Sequence, residues 1–145
     1  NIDKDYRVNE DFHDLIVDTD GSSMHSITAE VEKFVRDQRL IDGLCQLSVL
    51  HTSASLLIQE NASPDVQRDI VRFLDLLAPM ERGRYEHELE GLDDMPAHLK
   101  TVLTQTHLTL SVRDSRLVLG TWQGIFLLEH RTRGSKRQVQ IHLVG

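Results

Sequence analysis

Three histidines lie where they could share one ligand. His51 directly follows an apolar segment, and His87 and His98 lie on either side of the acidic pair Asp93-Asp94. Three imidazoles form the protein ligand set of many catalytic zinc sites, which keep a fourth position open for water. The spacing therefore allows two interpretations. Either the three histidines form a metal site, or His51 is hydrogen-bonded at the rim of a sheet and the other two flank a solvated acidic loop.

A glycine-flanked tryptophan and a basic segment are the other polar clusters. Trp122 lies between Gly120 and Gly124, in a tight turn that either stacks the indole on a heterocyclic ligand or packs it in an interface. We predict that the indole is substantially buried, in the core or between chains. The basic residues of segment 131–137 are Arg131, Arg133, Lys136 and Arg137. They could clamp a phosphate or form a charged hairpin turn.

The composition excludes several classes of protein. A formal net charge of −7 over 145 residues argues against a nucleic-acid partner, because such proteins need a basic face to displace counterions from phosphates. Cys45 is the single cysteine, which rules out an internal disulfide and suits a reducing compartment. No apolar run approaches the ~18 residues of a membrane span. We therefore predict one cytoplasmic domain, residues 1–145, that has no membrane partner.

Helical periodicity marks three segments that must position these clusters. Apolar residues at positions 27, 31, 34 and 35 predict a first helix. Ser63 and Pro64 predict the start of a second helix, which Pro79 ends. Its predicted buried stripe consists of Val66, Ile70, Phe73 and Leu77. A short third helix is predicted at about 96–103, and its inward residues are Leu99, Val102 and Leu103. Segment 80–94 is polar and aperiodic, which predicts a long loop of the kind that is often functional.

The remaining apolar segments are typical of strands. They are residues 12–19, 44–50, 55–58, 108–112, 117–119, 124–130 and 138–144. In the last of these, Val139, Ile141 and Leu143 face one side while polar residues face the other. Strands outnumber helices and often follow one another. This predicts an α+β fold with a β-rich, largely antiparallel or mixed sheet, two main helices and one short helix.

Three long segments carry a family resemblance. They are HTSASLLIQENASPDVQRD from His51, YEHELEGLDDMPAHLK from Tyr85 and LVLGTWQGIFLLEHR from Leu117. In this order they resemble the hallmark segments of the YjbQ family, which carries the label secondary thiamine-phosphate synthase. The similarity runs from about residue 27 to residue 143. It implies a β-rich α+β fold that assembles as a homotrimer, with sites where the subunits meet.

The resemblance also implies the roles of individual residues. It places His51, His87 and His98 in a polar, metal-binding pocket. It implies that the catalytic groups are His51, Glu60, Asp93 and Lys100, and that the ligand contacts are Thr52, Ser53, Trp122 and Gln123. From the residues alone, Glu60 either supports such a pocket or caps the next helix.

The family label implies that a pyrimidine pyrophosphate condenses with a thiazole phosphate to give thiamine phosphate. Loss of pyrophosphate requires a divalent cation and basic groups that stabilise the developing charge. Asp93 and Asp94 suit Mg²⁺, whereas three histidines prefer Zn²⁺, so the predicted cofactor is zinc or magnesium. Two alternatives remain open. One is a metal-dependent hydrolase, and the other is a non-catalytic oligomer that binds a metal or a small phosphorylated or heterocyclic ligand.

Overall fold

The computed structural model describes residues 8–145 as an α+β fold, which confirms the predicted fold class. The helices are α1 (Thr28–Asp37), α2 (Pro64–Leu77) and α3 (Asp94–Leu103). The strands are β1 (Glu10–Asp18), β2 (Ser23–Ser26), β3 (Gly43–Val49), β4 (Ala54–Glu60), β5 (His107–Arg113), β6 (Arg116–Leu117), β7 (Gln123–Glu129) and β8 (Lys136–Val144). The paired strands are antiparallel, in one sheet of order β1-β8-β3-β5-β6 and a second of order β2-β7-β4.

The larger sheet forms the main core together with α1. Its central strands β3 and β8 pair in register, with Leu47 opposite Ile141. The buried apolar side chains of these strands and of α1 are Cys45, Leu47, Val49, Val139, Ile141, Leu143, Val31 and Val35. The alternation predicted for 138–144 is therefore confirmed. Burial raises the pKa of Cys45 to about 12, so this thiol is an inert core group.

Strand β7 is buried on both faces. Ile125 and Leu127 join the main core, while Phe126 and Leu128 pack against Leu74 of α2. A strand covered on both sides needs a continuous apolar run instead of an alternating one, and this accounts for the uninterrupted sequence IFLL. Because β7 ends at Glu129, the polar residues that follow it emerge at the end of the smaller sheet.

Two predicted helix faces are wrong in part for the single chain. On α2, Val66 and Ile70 are half-buried and Leu74 is the buried residue, whereas Phe73 is 58% exposed and Leu77 is also exposed. On α3 Val102 and Leu103 are exposed. The buried side chains of α3 are instead Asp94, Pro96, Ala97 and Lys100. Both helices turn apolar residues outward, and periodicity cannot reveal this because it does not say which face the rest of the chain covers.

The long polar loop is confirmed, since residues 78–93 contain no helix or strand. The strand β2 escapes sequence reasoning because it is a four-residue polar strand at the edge of its sheet. Among the helices of residues 8–145, none is long and apolar enough to cross a membrane.

Candidate metal centre

The N-terminus of α3 holds a buried carboxylate. The helix begins at Asp94, whose side chain is 3% exposed. A carboxylate is favoured there because the helix N-terminus carries a partial positive charge. His98 follows four residues later, so its ring lies on the same face of the helix, one turn further on. The first turns of α3 therefore present a carboxylate and an imidazole together.

Two imidazoles converge on one oxygen of that carboxylate. Nε2 of His87 lies 2.6 Å from Oδ2 of Asp94, and Nε2 of His98 lies 3.1 Å from the same oxygen. A carboxylate oxygen of Glu90 lies 3.4 Å from Nε2 of His87. The four side chains each offer a ligand atom within 4.8 Å of the others. We refer to His87, Glu90, Asp94 and His98 as the His–carboxylate cluster.

A backbone carbonyl fixes the orientation of the His98 ring. Nδ1 of His98 lies 2.9 Å from the carbonyl oxygen of Thr52, and because a carbonyl only accepts, this nitrogen carries a proton. In the neutral ring Nε2 then holds the lone pair, which faces Asp94. Nε2 of His98 and Oδ2 of Asp94 are then two acceptors 3.1 Å apart, so a second proton or a cation must lie between them. Histidines that bind metals usually donate their other ring N–H to a carbonyl or carboxylate in this way.

Arg131 anchors the acidic pair from the end of the smaller sheet. Its Nη1 donates to Oδ1 of Asp94 at 2.8 Å, and its Nε donates to Oδ2 of Asp93 at 2.9 Å. Asp93 also accepts hydrogen bonds from the backbone N–H and the hydroxyl of Thr132. Burial raises the pKa of Asp93, but the bonds from Arg131 and Thr132 outweigh burial and lower the pKa to about 2. Asp93 is therefore a permanent anion that positions Arg131.

The cluster keeps Asp94 ionised. Burial alone raises the pKa of Asp94, but the hydrogen bond from His87 and the nearby charge of Arg131 outweigh it, so the net pKa is lowered. The same hydrogen bond raises the pKa of His87. The side chain of His87 is 44% exposed, so solvent reaches the cluster from this side.

The loop of residues 78–93 brings His87 and Glu90 to α3. The hydroxyl of Tyr85 donates to the carbonyl oxygen of Pro79 at 2.9 Å and ties down the start of the loop. Gly91 has a φ of 106°, in the region that favours glycine. A Cβ at this position would lie 2.9 Å from Oδ1 of Asp93. A glycine is thus required where the loop turns closely against the acidic pair.

The cluster has the donor set of a divalent transition metal. Imidazole and carboxylate ligands are those of catalytic zinc sites, which combine three protein ligands with water. With neutral imidazoles, the two carboxylates and Arg131 leave a net negative charge that a divalent ion would neutralise. His98 and Asp94 would provide the rigid side of such a site, and the exposed side at His87 leaves room for water or substrate.

The structure joins two of the three predicted metal histidines. His87 and His98 belong to the cluster, but His51 does not. Nε2 of His51 instead accepts the backbone N–H of Gln138 at 2.8 Å, so this is a rim histidine at the end of the larger sheet. Burial and the charge of Arg137 lower its pKa. A neutral imidazole with Nε2 engaged has its proton on Nδ1 and no lone pair left for a metal.

Glu60 and Gln123 lie at the far end of the smaller sheet. They face each other across β4 and β7, whereas Ala54 faces Glu129 at the other end. A strand of seven residues spans about 20 Å, so neither residue reaches the cluster within one chain. Glu60 accepts the backbone N–H of Ser63 at 2.9 Å, directly before α2. In the single chain Glu60 therefore caps the start of α2, and its catalytic role stays a prediction.

Trp122 and Lys100 also point away from the cluster within one chain. Trp122 is 65% exposed, so its predicted burial in the core is wrong, and burial between chains stays a prediction. Lys100 is buried on α3, and its Nζ donates to Oδ1 of Asp75. Thr52 lies at the cluster through its carbonyl group, and Ser53 follows it. The catalytic and ligand-binding roles of these residues stay predictions.

Sequence reasoning misses Glu90 and assigns Arg131 to a phosphate clamp or a charged turn. The sequence nevertheless contains a spacing pattern from which the cluster could have been predicted. His87, Glu90, Asp94 and His98 follow one another at intervals of three or four residues, which is the spacing of neighbours on a helix. Of these four residues, Asp94 and His98 lie in a helix, and the turn at Gly91 brings His87 and Glu90 to them.

The family model described as UPF0047 protein YjbQ-like matches residues 13–145. The chain belongs to this family. A UPF0047 protein from Synechocystis sp. is 47% identical over 131 residues, which cover 90% of this chain and 89% of that protein. The UPF0047 protein YjbQ from Escherichia coli is 40% identical over 132 residues, which cover 90% and 95% of the two chains. The resemblance seen in the sequence is therefore confirmed.

Solved structures of YjbQ-like proteins have the same fold. A YbjQ-like protein of unknown function from Sulfolobus solfataricus matches with a TM-score of 0.89 at 27% identity, over 96% of this chain and 99% of that one. A conserved hypothetical protein from Thermus thermophilus matches with a TM-score of 0.80 at 38% identity, over 90% and 98%. The names of these relatives assign no reaction, so the activity has to be argued from the site.

Proposed function

We propose that this YjbQ-like chain binds a divalent transition metal in the His–carboxylate cluster and uses a metal-bound water for hydrolysis. One observation carries the proposal. The Nε2 atoms of His87 and His98 lie 2.6 and 3.1 Å from the same oxygen of Asp94, and the proton of His98 is already placed on Nδ1 by Thr52. A cation at this point satisfies the lone pair of His98 and the charge of Asp94 together.

The ligand set favours zinc over magnesium. Imidazole nitrogen suits Zn²⁺ and other first-row transition ions, whereas Mg²⁺ prefers oxygen ligands and retains several waters. A bound ion would lower the pKa of water to about 7, which supplies hydroxide at neutral pH. Glu90 is 65% exposed and lies beside the exposed His87, where it would complete the coordination or accept a proton from the bound water.

The condensation that forms thiamine phosphate stays a prediction of the family resemblance. Its cation must bridge a leaving pyrophosphate, a role typical of magnesium held by carboxylates, and two imidazoles fit this role poorly. Mixing the pyrimidine pyrophosphate and the thiazole phosphate with the metal-loaded protein tests it directly. Release of pyrophosphate that requires the thiazole phosphate, at a rate above that of a heat-denatured sample, would favour the transferase.

We further propose that the chain forms a homotrimer in the cytoplasm. The exposed apolar residues of α2 and α3 support the assembly, because monomeric proteins rarely expose large apolar patches. They are Phe73, Leu76, Leu77, Val102 and Leu103. The free, buried Cys45 suits a reducing compartment. Light scattering that reports a monomer at micromolar concentration would contradict the assembly.

Metal analysis of purified protein tests the metal site. We expect one zinc ion per chain by plasma mass spectrometry, and zinc affinity at least about 100-fold lower in His98→Asn and Asp94→Asn, because each change removes a ligand. His107→Asn is the matched control, since this histidine is exposed at the start of β5. Circular dichroism checks that the fold is retained. Wild-type zinc affinity in both cluster variants would refute the site.

Hydrolysis is tested separately with p-nitrophenyl acetate and p-nitrophenyl phosphate. We expect turnover that chelation abolishes and added zinc restores. The His87→Asn variant should lose this turnover, whereas His107→Asn should keep it. Zinc binding without turnover of any ester would leave the alternative of a non-catalytic metal-binding oligomer.

A further inference from the structure

A cavity lined by arginines adjoins the His–carboxylate cluster. Its volume is about 280 Å³, and its lining residues are Ser53, Arg131, Arg133, Gly134, Ser135 and Arg137. None of the six is acidic and three carry guanidinium groups. Such a concentration of guanidinium groups in one cavity of an acidic protein needs an explanation.

Two of the guanidinium groups are held in place by carboxylates outside the cavity. Arg137 is 7% exposed and donates through Nε to the fully buried Glu129 at 2.9 Å. Arg131 is held by Asp93 and Asp94. These contacts fix the two planar groups, so little side-chain freedom is lost when they bind a ligand.

Hydrogen-bond donors remain for a ligand. Nη1 of Arg137 donates to no group in residues 8–145, because the contacts of this side chain are made through Nε and Nη2. The hydroxyl of Ser53 accepts a bond from Arg137 at 3.0 Å, which leaves its own proton free to donate. Arg133 is exposed and makes no hydrogen bond within the described part of the chain.

The turn that carries Arg133 is held against the rest of the chain. A Cβ on Gly134 would lie 1.9 Å from the carbonyl oxygen of Thr19. The backbone N–H of Ser135 donates to the hydroxyl of Thr19 at 2.9 Å, and the hydroxyl of Ser135 donates to Glu129 at 3.1 Å. The basic segment thus forms a wall of the cavity.

We propose that this cavity binds the phosphate group of a small phosphate ester, whose remainder reaches the His–carboxylate cluster. Several converging guanidinium and hydroxyl donors suit the oxygens of a tetrahedral dianion, whereas a carboxylate is satisfied by one guanidinium fork. Arg131 connects the two sites, because it lines the cavity and binds Asp94. The backbone connects them again, since Ser53 lines the cavity and the carbonyl of Thr52 binds His98. The phosphate site stands by itself, and its use for substrate rests on the proposed metal function.

Isothermal titration of the purified protein with inorganic phosphate tests the site. We expect saturable binding that is about tenfold weaker in Arg133→Gln and Ser53→Ala, because each removes a donor to a charged ligand. Lys136→Gln is the matched control. It also removes one positive charge, three residues after Arg133, but the side chain of Lys136 is paired with Asp18 and lies outside the cavity. This variant should bind phosphate like the wild type.

Two further titrations distinguish the proposed phosphate site from the proposed metal site. The titration is repeated after dialysis against EDTA, where phosphate binding should persist, and with acetate, which should bind at least about tenfold more weakly because it uses fewer donors. Zinc binding by Arg133→Gln should equal that of the wild type. Absence of phosphate binding, equal losses in Arg133→Gln and Lys136→Gln, or binding that disappears with EDTA would each overturn the cavity as a phosphate site. None of these outcomes would argue against zinc binding by the cluster.

Discussion

His130 provides a quantitative test of the structure, because a neutral imidazole is buried next to the site. Its side chain is almost completely buried, and Nε2 lies 2.7 Å from the hydroxyl of Ser55. Burial, followed by the charge of Lys100, lowers the pKa of His130 to about 4. In the unfolded chain a histidine has a pKa of about 6.5.

The sign of the effect follows from which state binds the proton. Between pH 6.5 and pH 4 the unfolded chain takes up a proton at His130 and the folded chain does not, so stability falls as the pH falls through this range. The pKa difference corresponds to about 3 kcal/mol in total, and lowering the pH from 7 to 5 should cost about 2 kcal/mol of unfolding free energy through this group.

Urea unfolding at pH 7 and pH 5, at one protein concentration, measures the effect. His130→Gln retains an amide that can hydrogen-bond the hydroxyl of Ser55 but has no group that titrates, so its loss of stability between the two pH values should be smaller than that of the wild type by about 2 kcal/mol. Contributions from His51 and His87 cancel in this difference. His107→Gln, which removes an exposed imidazole, should keep the wild-type pH dependence. An unchanged pH dependence in His130→Gln would refute the reasoning.

Three further substitutions test the contacts around the site. Glu129→Gln should destabilise the chain by about 3–5 kcal/mol in urea unfolding, because it leaves the buried guanidinium of Arg137 without a counter-charge; a loss below about 1 kcal/mol, as for an exposed pair, would contradict this. Gly134→Ala should cost about 1–3 kcal/mol by the same measurement, since its Cβ would overlap the carbonyl oxygen of Thr19, and an unchanged midpoint would mean that the turn is not held there. Asp93→Asn should lower zinc affinity by about 10–100-fold without removing a ligand, because it weakens the arginine contact that positions the metal-binding carboxylate; unaltered affinity would remove that role.

The fold was predictable where the sequence of a segment itself indicates its secondary structure and its buried face. The alternation of β8 and the start of α2 at Pro64 are local signals, and both are confirmed. The inward faces of α2 and α3 were not predictable, because Phe73 and Val102 are as apolar as core residues yet lie on the surface of the single chain. Hydrophobic periodicity identifies an amphipathic helix but does not tell which neighbour, in the same chain or in another copy, covers the apolar side.

The candidate site was half predictable for a related reason. Sequence spacing identified His87 and His98, but it could not tell that His51 is already engaged by the backbone of β8. It also could not tell that Arg131, which belongs to a run of bases, faces carboxylates at one end and a cavity at the other. The choice of partner for a polar side chain depends on contacts between distant segments, and spacing along the chain does not encode them.

The position of Arg131 decides which substitutions can separate the two proposed sites. Because its guanidinium holds Asp94 and also lines the cavity, Arg131→Gln should weaken zinc and phosphate binding together and cannot show which site is real. Substitutions must therefore lie on either side of it. His87 contacts the cluster but not the cavity, and Arg133 lines the cavity but not the cluster. If the sites are independent, the effects of His87→Asn on zinc binding and of Arg133→Gln on phosphate binding should be unchanged in the double variant. Because p-nitrophenyl acetate carries no phosphate for the cavity, its turnover should depend on His87 and not on Arg133.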